Sequence, residues 1–149
     1  MKRYKYRLEP MLKLKEHREK EKQREHAEAA RKVQEQKEML VRIDEERGET
    51  LKHQRRSLVG SMSLAELLVC SRYLMKLKKD TLTGRELLRG LEKEADKRRE
   101  KLVEASKERK IYEKLKEKQI AKFTKEVERL ENKAVDETAT NGFRRRSRP

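Results

Sequence analysis

The chain has 149 residues, a net charge of +15, 48% charged side chains and only 33% hydrophobic ones, with no Trp, four Tyr and two Phe. That is too little apolar material for a compact core around a solvent-excluded catalytic pocket, which leaves long helices or disorder. Lys, Glu, Arg, Leu and Ala are strong helix formers, and Pro occurs only at positions 10 and 149. Long helices are therefore expected, with function residing in what they touch.

The first helix is predicted over residues 8–58. Pro10 fits its first turn, where an N–H has no intrahelical acceptor. Residues 15–26, KEHREKEKQREH, carry no apolar side chain. A helix polar all round rests on charge pairs four residues apart or lies against a polar partner. A thin apolar stripe follows at Ala29, Ala30, Val33, Leu40, Ile43, Leu51 and Leu58, with Arg47 and Gln54 inside it. A turn is predicted over residues 59–62. Gly60 can take the left-handed conformation that ends a helix, and Ser63 with Glu66 makes a capping box that starts the next. So short a connection implies antiparallel neighbours.

The second helix is predicted over residues 63–137, near ~110 Å at ~1.5 Å per residue, so one end should overhang the shorter first helix. Every seventh residue reads Leu67, Leu74, Thr81, Leu88, Ala95, Leu102, Arg109, Lys116, Phe123, Leu130. A partner row reads Cys70, Leu77, Gly84, Leu91, Arg98, Ala105, Tyr112, then slips by one to Ile120, Val127 and Ala134. A sustained seven-residue period with charge elsewhere marks a helix burying one narrow stripe against another. Leu67, Leu74, Leu88, Leu91, Leu102, Tyr112, Phe123 and Leu130 are the expected seam. Gly84 in that stripe permits a close approach or a bend, or is merely tolerated. Residues 138–149 lack a period and should form a mobile basic tail. The expected fold is all-α, one antiparallel coiled-coil hairpin domain over residues 1–137, with pairing between two chains left open.

His17, His26 and His53 have no Cys or second His at metal-ligand spacing and read as surface residues. Neither GxxxxGK[ST] nor GxGxxG occurs. Cys70 sits among apolar neighbours and reads as a seam residue; alone, it fits a reducing compartment. The expectation is a protein with no catalytic residue, metal, cofactor or small-molecule substrate. The positive charge calls for an acidic protein surface, nucleic acid or an anionic membrane face. Arg55-Arg56, Lys78-Lys79, Lys97-Arg98-Arg99 and Arg144-Arg145-Arg146 could meet phosphates, so a nucleic-acid-binding coiled coil is the alternative. Alternating Glu and Lys in the first helix dilute that field, and aromatics for base stacking are few. No apolar run approaches the ~20 residues that span a bilayer. MKRYKYRLEPMLKLKEH also lacks the apolar stretch of a secretory signal, so a cytosolic protein is expected.

Three segments carry a family resemblance: YKYRLEPMLKLKEHREKEKQ, GSMSLAELLVCSRYLMKLKKD and ERKIYEKLKEKQIAKFTKEVERLENKAVDETA. In collinear order they resemble the flagellar export protein FliJ family. The first is similar to that family's aromatic-x-Leu-x-x-Leu-Leu opening. The second is similar to its Ser/Thr-led helix start and Tyr-Leu-x-x-Leu step, the third to its Lys-Leu-Lys-Glu segment and closing Asp-Glu-x-Ala. The resemblance implies a non-enzymatic part of the flagellar type III export apparatus at the cytoplasmic side of the cell membrane. Its coiled coil would be similar to the γ subunit of rotary ATPases. It would enter the export ATPase hexamer, promote ring assembly and ATP hydrolysis, contact the export gate protein FlhA and escort export chaperones. The equivalent stalk of a virulence-type secretion system is a related alternative. Tyr73 and Leu77 match the family's gate-contact positions. The γ-like end carries Lys2, Arg3, Lys5 and Arg7, and Arg144, Arg145, Arg146 and Arg148 follow from the overhang. Those cations are expected to steer the protein towards an acidic ring pore.

Overall fold

The computed structural model describes residues 4–146, with side chains described as far as residue 145. Two helices make up almost all of it: α1, Glu9–Val59, and α2, Leu64–Arg146. Among the described residues there is no strand. The Glu9 N–H donates to the Tyr6 carbonyl at 3.3 Å and the Leu12 N–H to that of Leu8 at 3.0 Å. Pro10 thus stands in the first turn, where its missing N–H costs no helical bond, and Glu9 faces the positive end of the helix dipole.

At the reversal the capping box is formed. The Glu66 N–H donates to Ser63 Oγ at 3.3 Å, and the Ser63 N–H donates to Glu66 Oε2 at 3.0 Å. Gly60 departs from expectation: no glycine among the described residues has a positive φ. The cap of α2, and not a left-handed residue closing α1, specifies the turn. Pairings then run in opposite senses. Tyr4 reaches Gln119 and Lys15 reaches Glu108; Gln36 reaches Gly84 and Glu46 reaches Tyr73. Numbers rise on one side as they fall on the other, so the hairpin is antiparallel and closes within one chain.

Burial along α2 keeps a seven-residue repeat as far as Gln119 and Phe123. Leu67, Leu74, Leu88, Leu91, Leu102, Tyr112 and Phe123 are half-buried, and Leu77, Gly84 and Ala105 are buried. The expected slip comes one repeat late: half-buried Gln119 continues the row in place of Ile120, and only then does the row move by one position, to half-buried Val127 beside exposed Glu126. The reason is polar, since Gln119 accepts a hydrogen bond from the Tyr4 hydroxyl at 2.7 Å. Leu130 is corrected as well. It is 66% exposed, seven residues past Phe123, whose ring meets that of Tyr4. Residues 128–145 are all exposed.

Residues 138–146, expected to be an irregular tail, continue α2. Thr138 and Thr140 donate their hydroxyls to the carbonyls of Ala134 and Asp136, both at 2.7 Å, so neither competes for a non-helical conformation. Gly142 costs only about 1 kcal/mol relative to Ala and keeps its N–H.

The chain divides into two units. A terminal unit joins the chain up to Glu19 with the chain from Glu104 onward, and a turn unit comprises Lys20–Val103. The terminal unit buries Tyr6, Leu12 and Ala105. Its remaining seam is aromatic and ionic. The Tyr4 and Phe123 rings lie 5.1 Å apart, Lys15 Nζ stands 2.7 Å from Glu108 Oε2, and Lys116 Nζ stands 2.7 Å from Glu9 Oε2. Arg109 bridges Glu19 and Glu113, although its Nε is not aligned to donate a hydrogen bond. The turn unit buries Ala29 and Leu77. There Gly84 makes a close approach: a Cβ on it would lie 2.7 Å from Leu40 Cδ2 and 3.1 Å from Gln36 Nε2. Gln36 donates to the Gly84 carbonyl at 3.1 Å. Arg98 donates to the Glu25 carbonyl, also at 3.1 Å, so part of the wholly polar run of α1 does meet a polar partner.

Candidate functional site

The terminal unit carries a concave surface beside the start of α1. A groove of about 790 Å³ is lined by Tyr4, Lys5, Tyr6, Arg7, Glu9, Pro10, Lys13, Lys116 and Ile120. The local sequence explains it. Tyr4 and Tyr6 precede the helix start, and their rings fold onto α2 while Lys5 and Arg7, alternating with them, remain exposed. The Tyr6 hydroxyl donates to the Tyr112 carbonyl at 3.3 Å. Burial, helped by Tyr4 and Glu9, raises its phenol pKa. Lys116 Nζ lies 5.8 Å from the centre of the Tyr6 ring. Its hydrogen bond to Glu9 raises its own pKa against the opposing effect of burial, so it stays cationic. Lys5, Arg7 and Lys13 add positive charge at the rim. Such a groove suits an acidic, partly apolar protein surface.

Of the cations expected to steer this end, Lys5 and Arg7 meet in the groove. Lys2, Arg3 and Arg148 lie outside the described residues, as does the side chain of Arg146. Arg144 and Arg145 are exposed but far from the groove. Tyr4 pairs at Gln119, and 25 further residues of α2 place Arg144 about 37 Å along its axis. Sequence reasoning missed Lys13 and Lys116, because only the pairing register brings α2 beside the start of α1. The Tyr4–Tyr6 alternation just before Pro10 was the available signal.

Tyr73 and Leu77 separate in character. Leu77 is 3% exposed, so it belongs to the seam and offers no surface. Tyr73 is 39% exposed. Its hydroxyl donates to Glu46 Oε2 at 3.0 Å, a bond that raises its pKa together with partial burial. Cys70 is free and half-buried on the seam. His26 is half-buried too, unlike the exposed His17 and His53. Among the described residues no three His, Cys, Asp or Glu gather where they could hold a metal ion, and no helix is long and apolar enough to cross a membrane.

No curated protein and no solved structure matches the chain. The family described as flagellar FliJ protein matches residues 4–148, which takes in both helices, the capping-box turn and the groove. With nearly the whole sequence accounted for in this way, the chain belongs to the flagellar FliJ protein family.

Proposed function

We propose that this component of the flagellar export apparatus is the non-enzymatic stalk of the export ATPase. It inserts into the hexamer, promotes ring assembly and ATP hydrolysis, and couples the ring to the export gate protein FlhA. The observation that carries this reading is the family match over residues 4–148 on a hairpin that closes within one chain. A body seated in a ring must keep its apolar stripe for its own pairing and present polar, charged faces outward, since a large outer apolar patch would hold it in one orientation. The terminal unit supplies the inserting end, where Lys5, Arg7 and Lys13 meet an acidic pore lining. Tyr73 supplies the gate contact, and Leu77 holds the helix beneath it. Export chaperones are further partners, and placement at the cytoplasmic side of the membrane comes through these proteins.

The test is ATPase turnover with and without the full-length protein at physiological salt. Stimulation is expected, and its absence would sink the stalk reading. Lys5→Gln/Arg7→Gln/Lys13→Gln should slow stopped-flow association with the ATPase and flatten its salt dependence, because screening acts over ~8 Å at physiological ionic strength. Equal rates at two salt concentrations would remove the steering role. Tyr73→Ala should weaken FlhA binding without loss of helicity.

A further inference from the structure

The turn unit carries apolar surface that the hairpin does not use. Val59 is 92% exposed at the tip, and on α2 Leu64 and Met75 are each 73% exposed, with Leu68 and Leu82 more than half exposed. Leu68, Met75 and Leu82 are seven residues apart and share one face; Leu64 joins them four residues before Leu68. The row lies outside the seam rows of Leu67 and Cys70. Arg72, Lys78 and Lys79, all exposed, stand three or four residues from Met75 and so border the ridge on both sides.

Acid is scarce along the ridge's own stretch of chain. Residues 55–82 contain six basic side chains and two acidic ones, Glu66 and Asp80. Glu66 is held in the capping box, and Asp80 is half-buried. On α1 at this level Asp44, Glu45, Glu46 and Glu49 are exposed, but Glu46 meets α2 through Tyr73, which projects from the opposite side of the helix to Met75, two residues on.

We propose that this ridge lies directly on an anionic lipid surface. An apolar row bordered by cations is the pattern of a helix lying in the membrane interface. Its Leu and Met tips enter the headgroup and acyl boundary while Lys and Arg stems reach back to phosphate. The exposed Val59 extends the apolar contact past the start of α2. A protein helix would need an acid-flanked apolar face of its own, whereas a phosphatidylglycerol surface presents the apolar layer and the negative charge together. This contact is separate from the ATPase and gate contacts proposed above and does not depend on them.

The experiment is co-sedimentation of the full-length protein with vesicles of phosphatidylglycerol and phosphatidylcholine, and with vesicles of phosphatidylcholine alone. Binding is expected to the anionic vesicles only. Lys78→Gln/Lys79→Gln should weaken it roughly fivefold for each cation removed. Leu68→Gln/Met75→Gln should weaken it about tenfold, with circular dichroism unchanged in both variants. Because the chain has no Trp, Met75→Trp provides a single Trp that can be excited at wavelengths where Tyr does not absorb. Its emission should shift to the blue on anionic vesicles, while that of Leu130→Trp, exposed elsewhere on α2, should not. Retention of full vesicle binding by both double variants would assign the adsorption to diffuse net charge and overturn the proposal. So would a lack of binding to anionic vesicles, an unshifted Met75→Trp, or capture of an acidic amphipathic peptide by a protein that ignores vesicles.

Discussion

The two units use the same pair of helices and the same seven-residue repeat, yet they are held by different chemistry. In the turn unit the interface is mainly of small and aliphatic side chains, with Leu77 buried and Leu40 fitted over the backbone at Gly84, and with Arg98–Glu25 and Lys37–Glu92 as polar links across it. In the terminal unit buried Leu12 and Ala105 are joined by aromatic rings and charge pairs, with Lys15, Arg109 and Lys116 on the seam and each facing a carboxylate. Aliphatic burial is indifferent to pH and salt, whereas half-exposed ion pairs contribute little and are screened. The turn unit should therefore carry the stability, and the terminal unit, where the groove lies, should respond to solution conditions.

The sharpest way to break this comparison is Leu77→Ala. Removing a fully enclosed Leu should cost ~2–3 kcal/mol, the lower part of the range for core truncations because a two-helix seam can partly close. Urea denaturation followed by circular dichroism measures it. Leu88→Ala, Leu91→Ala and Leu102→Ala at half-buried positions should cost nearer ~1–2 kcal/mol. If Leu77→Ala has no effect, the turn unit is not the anchor.

Next comes Gly84. A Leu there must displace both Leu40 and Gln36, an overpacking worth ~1–3 kcal/mol. Gly84→Ala should be close to neutral, because the clash is with the far end of a flexible side chain and the gain in helix propensity, about 1 kcal/mol, opposes it. The pair of variants, compared by thermal melting, separates a close approach from a merely tolerated glycine.

A smaller effect sharpens the terminal side. Lys15 donates a hydrogen bond that holds Glu108 below its ordinary value of 4.5. A depressed carboxylate contributes stability above its unfolded pKa and loses it as pH falls through the folded value. Lys116, raised above 10.5 by Glu9, contributes below its unfolded pKa and loses that contribution as pH rises through the folded value. Three of the four tyrosines, Tyr4, Tyr6 and Tyr112, lie in the terminal unit, so Tyr73→Phe makes tyrosine fluorescence a reporter of that unit alone. In this background unfolding should become easier in acid and with added salt, and Glu108→Gln should flatten the acid dependence. An unchanged acid limb in Glu108→Gln would deny the ion pair its role.

The smallest effect is expected on the exposed part of α2 beyond Val127. Leu130→Gln should change stability by less than ~0.5 kcal/mol, as for surface substitutions in general. Deleting residues 142–149 should lower helix content slightly, since Gly142 to Arg146 are helical. A large loss of stability in either case would mean that this extension is packed against something.

Much of the fold was legible because it is local. The scarcity of Pro, the strong helix formers, the Ser63–Glu66 box and the Leu67 row each act within a few residues, and helix, cap and stripe followed from them. Legibility failed where the seam is polar. On α1 Lys15, Glu19, Lys22 and His26 occupy half-buried positions of a seven-residue repeat, but their chemistry is that of an exposed face, so the sequence showed a featureless charged run. Gln119 was passed over for Ile120 on the same ground, since hydropathy cannot anticipate a tyrosine hydroxyl arriving from Tyr4, 115 residues away in sequence. The groove was hidden for this reason too. Lys5 and Arg7 were visible as cations, whereas Lys116 joins them only through the register of the hairpin.

Composition and periodicity alone determined that the chain forms two antiparallel helices with one narrow stripe, because propensity, capping and amphipathic spacing are properties of neighbouring residues. Tertiary structure decided which side chains that stripe contains, where it ends and what remains outside it. It placed Leu77 inside and Tyr73 at the surface, left Leu130 bare, and set apart the ridge of Leu68, Met75 and Leu82. The physical reason is that burial is a property of pairs: a side chain is covered only where the opposite helix has a residue to cover it, and that depends on register, which no single stretch of sequence contains.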